Sequence, residues 1–420
     1  MARVIPIAAA GAPARLASPP PLSLYIHFPW CVKKCPYCDF NSHEARAPVP
    51  EARYLAALIA DLEQSLPLVW GRPLASIFIG GGTPSLMAPE TVDALLGAVR
   101  ARLTVLPGAE ITLEANPGTA EAERFGGYRQ AGVNRLSLGV QSLNPRHLAA
   151  LGRIHDERQA RRAVELALRH FDNVNIDLMY ALPGQTLAEA RADITEAAAF
   201  GAPHLSAYHL TLEPNTAFFR APPPLPDDDL AARMQDSVEE TLAARGYRHY
   251  EVSAFARGPA AASLPAAAVA AAEPRFAGSE CRHNFNYWLF GDYLGIGPGA
   301  HGKLSTPATL RRTVKHRHPQ AWLAGCERGK ATQEERAIAD ADLPFEFMMN
   351  ALRLSEGFPP RLFAERTGLP LASVRRQLDA AAEKGLLLED ERRIAPSARG
   401  RRFLNDLLQI FLPDSAPAAS

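Results

Sequence analysis

Leu24-Tyr-Ile-His-Phe-Pro-Trp-Cys31-Val-Lys-Lys-Cys35-Pro-Tyr-Cys38 starts as a short apolar strand and runs directly into a cysteine loop spaced C-x3-C-x2-C. Soft thiolates this close together suit iron–sulphur or zinc. Three of them can hold one cuboidal 4Fe-4S cluster while leaving one iron without a protein ligand. A structural zinc site usually has four ligands, so Asp39 or His43 would have to complete it, and the spacing favours the cluster. Lys33 and Lys34 read two ways: as charges that favour the thiolates, or as solvated loop lysines.

On either side of this loop a βα unit recurs between residues 20 and 250: a short β-branched run, a Gly, Pro or acidic turn, then an amphipathic helix. The strand candidates are Leu24 to Phe28, Ser76 to Ile79, Ile111 to Ala115, Arg135 to Val140, Val174 to Tyr180 and His204 to Leu210. Stretches such as Glu51 to Gln64, Pro89 to Leu103 and Glu157 to Arg169 supply the helices. Strands alternating with helices argue for a parallel sheet with right-handed crossovers. Six strands are two short of a closed eight-stranded barrel, so the expected fold is α/β, a partial (β/α)6 barrel.

The composition fits that size and excludes several classes. A chain of 420 residues is long enough for one large domain with a smaller companion. Forty-five Lys plus Arg balance 45 Asp plus Glu, so no overall field draws nucleic acid or an anionic membrane. Five cysteines, an odd number at metal-like spacing, point to a reducing compartment, and the expected location is cytoplasmic. No uninterrupted apolar stretch reaches membrane-spanning length. Pro6, Pro19, Pro20 and Pro21 break the N-terminal apolar run, so residues 1–20 read as a disordered lead-in rather than a signal peptide.

The expected organisation is a barrel over 21–257, an Ala/Pro-rich insertion loop over 258–280, a barrel-closing segment over 281–336 and a helical domain over 337–420. In the last, Pro370 suits a first helical position and Gly385 the residue just past a helix end. Leu386 to Leu388, the charged run to Arg393, and Ile394 suit the strand and wing of a winged-helix-like module. A plain helical packing domain is the favoured alternative.

In (β/α) barrels functional groups gather at the C-terminal ends of the strands. Here those ends carry Gly80-Gly81-Gly82-Thr83-Pro84, Glu114, Gln141 and Asp177. Absent side chains in the glycine turn would let backbone groups approach a ligand closely. Each polar residue alone could be a solvated strand end, but four such ends in register with a cluster loop form a set. Arg153, in Leu-Gly-Arg-Ile-His, could pair a ligand carboxylate, while Glu114 or Asp177 could accept from hydroxyls or an amine.

The cysteine spacing resembles the radical SAM superfamily, in which S-adenosylmethionine chelates the open iron. From Leu24 to about Leu304 the chain resembles the oxygen-independent coproporphyrinogen III oxidase family of radical SAM proteins. That likeness rests on Tyr-Ile-His-Phe-Pro-Trp-Cys, Gly-Gly-Gly-Thr-Pro-Ser, Leu-Gly-Val-Gln-Ser and Asn-Ile-Asp-Leu-Met-Tyr-Ala-Leu-Pro-Gly-Gln-Thr. The helical remainder resembles the family's C-terminal domain. The resemblance implies that Cys31, Cys35 and Cys38 bind the cluster. It implies that Tyr25, Tyr37, Gly81, Gly82, Thr83, Glu114, Gln141, Arg153 and Asp177 are S-adenosylmethionine positions.

The oxidases place a fourth cysteine two residues after the third, where this chain has Phe40. The branch lacking it resembles a heme chaperone and carries a His-Asn-x-x-Tyr-Trp signature, here His283-Asn284-Phe285-Asn286-Tyr287-Trp288. This branch implies heme as a bound cofactor and heme-accepting apoproteins, membrane ones included, as partners. His283 is the first candidate for an axial ligand, with Tyr287 and Cys281 as alternatives. The competing reading makes His283, Asn284 and Tyr287 a hydrogen-bonded plug, with Trp288 in the core. Two rival functions remain open: decarboxylation of coproporphyrinogen III by a 5'-deoxyadenosyl radical, and nucleic-acid reading by Arg392, Arg393, Arg399, Arg401 and Arg402. Zero net charge and the adjacent Glu389, Asp390 and Glu391 argue against nucleic acid.

Overall fold

Each apolar run read as a strand is a strand in the computed structural model, which describes residues 15–258 and 278–413. In chain order these are β1 (Leu22–Phe28), β2 (Leu74–Gly81), β3 (Val105–Ala115), β4 (Arg135–Gln141), β5 (Asn173–Tyr180) and β6 (His204–His209). They pair parallel in sequence order, as right-handed crossovers between neighbours require. Helices cover the outer face. Glu157–His170 and Leu187–Ala199 each begin with a reciprocal capping box, Asp156 with Gln159 and Thr186 with Glu189. The α/β partial barrel expected from the pattern is borne out.

The sheet is longer than the six strands foreseen. β7 (Tyr247–Glu251) and β8 (Ala254–Arg257) add antiparallel beyond β6. On the other side β9 (Asp292–Ile296) lies parallel to β1, and β10 (His301–Ser305), β11 (Leu310–Lys315) and β12 (Thr332–Ala337) continue antiparallel. The result is an open twelve-stranded sheet. The segment 281–336 was expected to close the barrel; its strands lengthen the sheet instead. Its first helix, Arg282–Trp288, packs against β2, β1 and β9. Strand-to-strand pairing across a short antiparallel turn is the cheaper way to satisfy backbone groups at that edge.

The C-terminal part has its own core, in which Phe347 packs edge-on against Phe358 and Phe363 at 4.9 and 5.3 Å. Pro370 is not the first helical residue. It precedes a 3-10 turn, Leu371–Val374, that leads into the helix Arg375–Glu383, and Gly385 follows with φ +67°. The wing is present: β13 (Leu387–Glu389) pairs antiparallel with β14 (Ile394–Pro396). Two of the basic residues once grouped as a patch are paired, Arg393 with Glu356 at 2.6 Å and Arg402 with Asp236. Residues 15–20 are not an unstructured lead-in, because Leu16 is buried in the C-terminal core and Arg15 Nη1 meets Asp340 at 2.5 Å. The expectations for residues 1–14 and for the insertion at 259–277 lie outside the described residues. Among the described residues no helix is long and apolar enough to cross a membrane.

Candidate cluster and cofactor site

The cysteine loop leaves β1 at Phe28 and is closed by a short parallel ladder of Trp30–Cys31 with His43–Glu44. Lys34 is exposed, and its Nζ also donates to the carbonyls of Phe40 and Ser42 at 3.0 and 3.1 Å, tying the loop to itself. At the far end, Asn41 Nδ2 donates to the carbonyls of Pro298 and Arg317, and His27 Nε2 meets the Asn41 carbonyl at 2.9 Å. Burial raises the Cys31 and Cys38 thiols, while hydroxyls beside them, Thr83 and Ser42 for Cys31 and Ser42 for Cys38, act in the opposite direction. Cys38 Sγ lies 3.7 Å from Ser42 Oγ.

The glycine turn serves this loop. Gly82 N and Thr83 N donate to the carbonyls of Phe28 and Trp30 at 2.6 and 2.8 Å. A Cβ on Gly81, whose φ is +119°, would stand 2.7 Å from the Phe28 carbonyl, and one on Gly82 would stand 2.5 Å from the Trp30 carbonyl. The closeness foreseen for a ligand is thus taken up largely by the start of the cysteine loop. Gly81 N–H is also used, donating to Glu114 Oε2 at 3.0 Å.

The cluster and S-adenosylmethionine positions read from the sequence, and two of the three candidate heme ligands, face one cavity of about 510 Å³: Cys31, Cys35 and Cys38, Tyr25 and Tyr37, Gly81, Gly82 and Thr83, Glu114, Gln141, Arg153 and Asp177, His283 and Tyr287. Among the described residues no three His, Cys, Asp or Glu side chains are drawn together as a site for a single ion. A cuboidal cluster takes one thiolate per iron, so it needs thiols spread around a shared space rather than gathered on a point.

Arg153 is committed to the loop. Its Nη2 donates to Asn116 Oδ1 and the Gly139 carbonyl, both at 2.7 Å, and Nη1 approaches Cys35 Sγ at 3.5 Å. Asn116 in turn donates to Thr83 Oγ1 at 3.0 Å. Burial and then the Asp177 carboxylate hold Glu114 up to about 7. Burial also raises Asp177, against the Asn175 and Ser137 side chains that donate to it at 2.8 and 3.0 Å. Gln141 ends β4 with φ +71°, an uncommon angle for a residue with a side chain, which turns the chain beside the cavity.

The helix that carries the His-Asn-x-x-Tyr-Trp signature lines the cavity through His283, Asn284 and Tyr287. His283 is buried, its Nδ1 is 2.9 Å from Ser76 Oγ and its Nε2 3.1 Å from Tyr287 Oη, so both ring nitrogens have partners. Its ring touches the cavity with both nitrogens engaged in hydrogen bonds. Cys281 Sγ donates to Glu110 and does not face the cavity, and Trp288 lies under Arg353 at 4.3 Å beside the C-terminal core. Sequence reasoning missed Asn116, Arg135, Asn175, His204 and Ser206 as lining residues. The period-two alternation of a strand would have found Arg135, which shares a face with Ser137, Gly139 and Gln141.

This fold and this loop define a radical SAM protein. The Radical SAM superfamily profile matches residues 25–197, and the HemN C-terminal domain profile matches residues 338–403. The solved coproporphyrinogen III oxidase HemN from Escherichia coli, a radical SAM enzyme, is similar with a TM-score of 0.76 at 25% identity, covering 94% of this chain and 90% of that one. Heme chaperone HemW of Escherichia coli strain K12 is 46% identical over 94% of this chain and 99% of its own length. Heme chaperone HemW of Haemophilus influenzae is 45% identical with the same coverage. A Bos taurus protein, mitochondrial radical S-adenosyl methionine domain-containing protein 1, is 35% identical over 93% of this chain and 87% of its own. The chain belongs to the HemW family of radical SAM proteins.

Proposed function

We propose that this chain binds heme and passes it to acceptor proteins, membrane ones included, from a scaffold that holds a 4Fe-4S cluster and S-adenosylmethionine. The observation that carries this reading is the 46% identity, over nearly the full length of both chains, to a relative named as a heme chaperone. Cys31, Cys35 and Cys38 would hold the cluster, whose contribution when bound is an iron with an open coordination position and, when reduced, an electron. The donor set fits: three thiols on one loop, with hydroxyls of Ser42 and Thr83 and the Lys34 ammonium beside them.

Around the loop, Arg153 and Asn116 hold Cys35 and Thr83 in register. Glu114 and Asp177 present carboxylate oxygens that suit the amine or the ribose hydroxyls of S-adenosylmethionine. The free thiols suit a reducing, cytoplasmic setting.

The likeness to HemN favours a second reading, coproporphyrinogen III oxidation. Against it stands Phe40, well exposed at 59% on the loop where the oxidases resemble this chain but carry a cysteine. Anaerobic titration of the cluster-loaded protein with heme, and separately with coproporphyrinogen III plus S-adenosylmethionine and a reductant, decides between them. Heme should bind and transfer to an apoprotein, and the porphyrinogen should be recovered intact. Stoichiometric protoporphyrinogen would replace the first reading with the second.

A further inference from the structure

Three histidines line the cavity, and two of them are committed. His283 is bonded through its ring nitrogens to Ser76 and Tyr287, and His204 through its own to Asn175 and Tyr250. His209 differs. It is the last residue of β6, it is exposed to solvent, and its ring makes no hydrogen bond among the described residues. One face of the ring is held instead by stacking on Tyr180, the last residue of β5, with centroids 5.4 Å apart and planes 13° from parallel. Burial of that face, against the Asp228 charge, lowers its pKa from 6.5, so at pH 7 the imidazole is neutral and offers one lone pair.

The part of the cavity around His209 is the part that S-adenosylmethionine leaves over. The positions suited to that cofactor lie on β1 to β5 and the loops that follow them, from Tyr25 to Asp177, and none lies on β6. A cavity of about 510 Å³ encloses one drug-sized ligand. The cluster and S-adenosylmethionine already make that demand on it, so a porphyrin is held at the rim, partly in solvent. Such an open seat suits a carrier that must release its cargo to another protein. The rim beside His209 is apolar: Met179, Leu210 and Phe218 form one cluster, with Tyr37 of the cysteine loop packed against it. Phe218 N donates to the Pro36 carbonyl at 3.0 Å, so the segment after β6 and the cysteine loop adjoin there. Tyr208, 41% exposed, continues this surface toward solvent, and Lys33, exposed on the cysteine loop, supplies the same cavity with a cation for a propionate. We propose that His209 is the axial ligand to heme iron, with the porphyrin seated on the β6 side of the cavity mouth. This rests on the heme reading above and names its ligand.

The test titrates the full, cluster-loaded chain with ferric heme under anaerobic conditions, with the cluster oxidised, in the absence and presence of saturating S-adenosylmethionine. Soret absorption and the spin-resonance spectrum of the heme iron are the readouts. Wild type should show a histidine-ligated spectrum, and S-adenosylmethionine should leave its heme affinity unchanged. His209→Ala should lose at least the roughly tenfold that loss of even an outer partner of a metal ligand costs, and added imidazole should restore the histidine-type spectrum. His209→Met, which keeps a ligand of another kind, should bind heme with a shifted Soret band. Cluster absorption should match wild type in both variants, because the residue is exposed and lies off the cysteine loop. A cluster-loaded His209→Ala that keeps the wild-type affinity and spectrum overturns the proposal and leaves the heme reading standing. Displacement of heme by S-adenosylmethionine overturns it too, since the two would then share one seat. A wild type that binds no heme sinks the heme reading and this inference together.

Discussion

Asn41 Nδ2 donates at 2.9 Å to the carbonyl of Pro298, 257 residues away in sequence, and so fastens the end of the cysteine loop to the turn after β9. That turn is itself pinned, since Gly297 N donates to the buried Asp61 carboxylate at 3.0 Å, and Asp61 also accepts from Trp322 and pairs with Lys315 at 2.6 Å. Gly299 is needed there: with φ +76°, a Cβ would stand 2.3 Å from Asn41 Nδ2. Asn41→Ala should lower global stability by only about 1–2 kcal/mol, the scale of lost side-chain hydrogen bonds. It should shorten the lifetime of a reconstituted cluster against a chelator several-fold. A cluster that persists as in wild type would mean that Lys34 and the short ladder suffice to hold the loop.

Cluster loading should depend on three thiols out of five. Cys31, Cys35 and Cys38 share the cavity, whereas Cys281 is turned toward Glu110 and Cys326 is buried in the helix Pro319–Glu327. Replacing any one of the first three with Ala should remove most of the broad visible absorption after anaerobic reconstitution. Cys326→Ala should retain it, and an equal loss there would defeat the three-cysteine assignment.

What the sequence made legible was what repeats or clusters locally. The βα period placed β1 to β6, though not the early start of β3 at Val105 or the seventh parallel strand β9, because alternating apolar runs and capped helices are short-range signals. The strand-end rule gathers Glu114 and Gln141, since chain direction alone decides which end of a parallel strand meets the loops, whereas Asp177 faces the cavity from the middle of β5. The roles of Arg153 and His283 were not legible. Each is decided by long-range hydrogen bonds, to Asn116 and Cys35 in one case and to Ser76 in the other, and no window of sequence contains both partners. The antiparallel strands β10 to β12 escaped for a related reason: their alternation is weak, with β12 exposed along its length.

Glu114 sets a pH dependence for the cofactor. Burial and the Asp177 charge hold its carboxyl up to about 7, so without ligand it is protonated below that pH and ionised above. A carboxylate accepting from the amine or ribose hydroxyls of the cofactor should bind more tightly as pH rises through about 7, and below it should lose up to about tenfold in affinity per unit. Because the folded value is raised, the same group contributes stability at low pH that is lost as pH rises from about 4.5 through about 7. Glu114→Gln should flatten both curves. Titrating the spin-resonance response with S-adenosylmethionine at pH 6, 7 and 8 reads the first. An unchanged pH dependence in the variant would move the acceptor role to Asp177.

His283 should be a stability residue. Its ring is buried between Ser76 Oγ and Tyr287 Oη, packs 5.0 Å from Phe78, and its backbone N–H is held by Glu110. Burial, and then the Arg135 charge, push its pKa down to about 3, so it is neutral at pH 7. With the folded value below the unfolded one of about 6.5, its contribution is present above about 6.5 and is lost as pH falls toward about 3, at up to about 1.4 kcal/mol per unit. His283→Ala removes buried packing and leaves Ser76 and Tyr287 without their partner, so unfolding should become easier by about 2–4 kcal/mol. The acid side of the stability curve should also become shallower by about one proton. To ligate heme iron the ring would have to give up a buried hydrogen bond, so the folded variant should bind and deliver heme as wild type does. Denaturant midpoints and Soret titrations on the same preparations separate the two roles. A tenfold loss of heme affinity with an unchanged midpoint would return His283 to the ligand role.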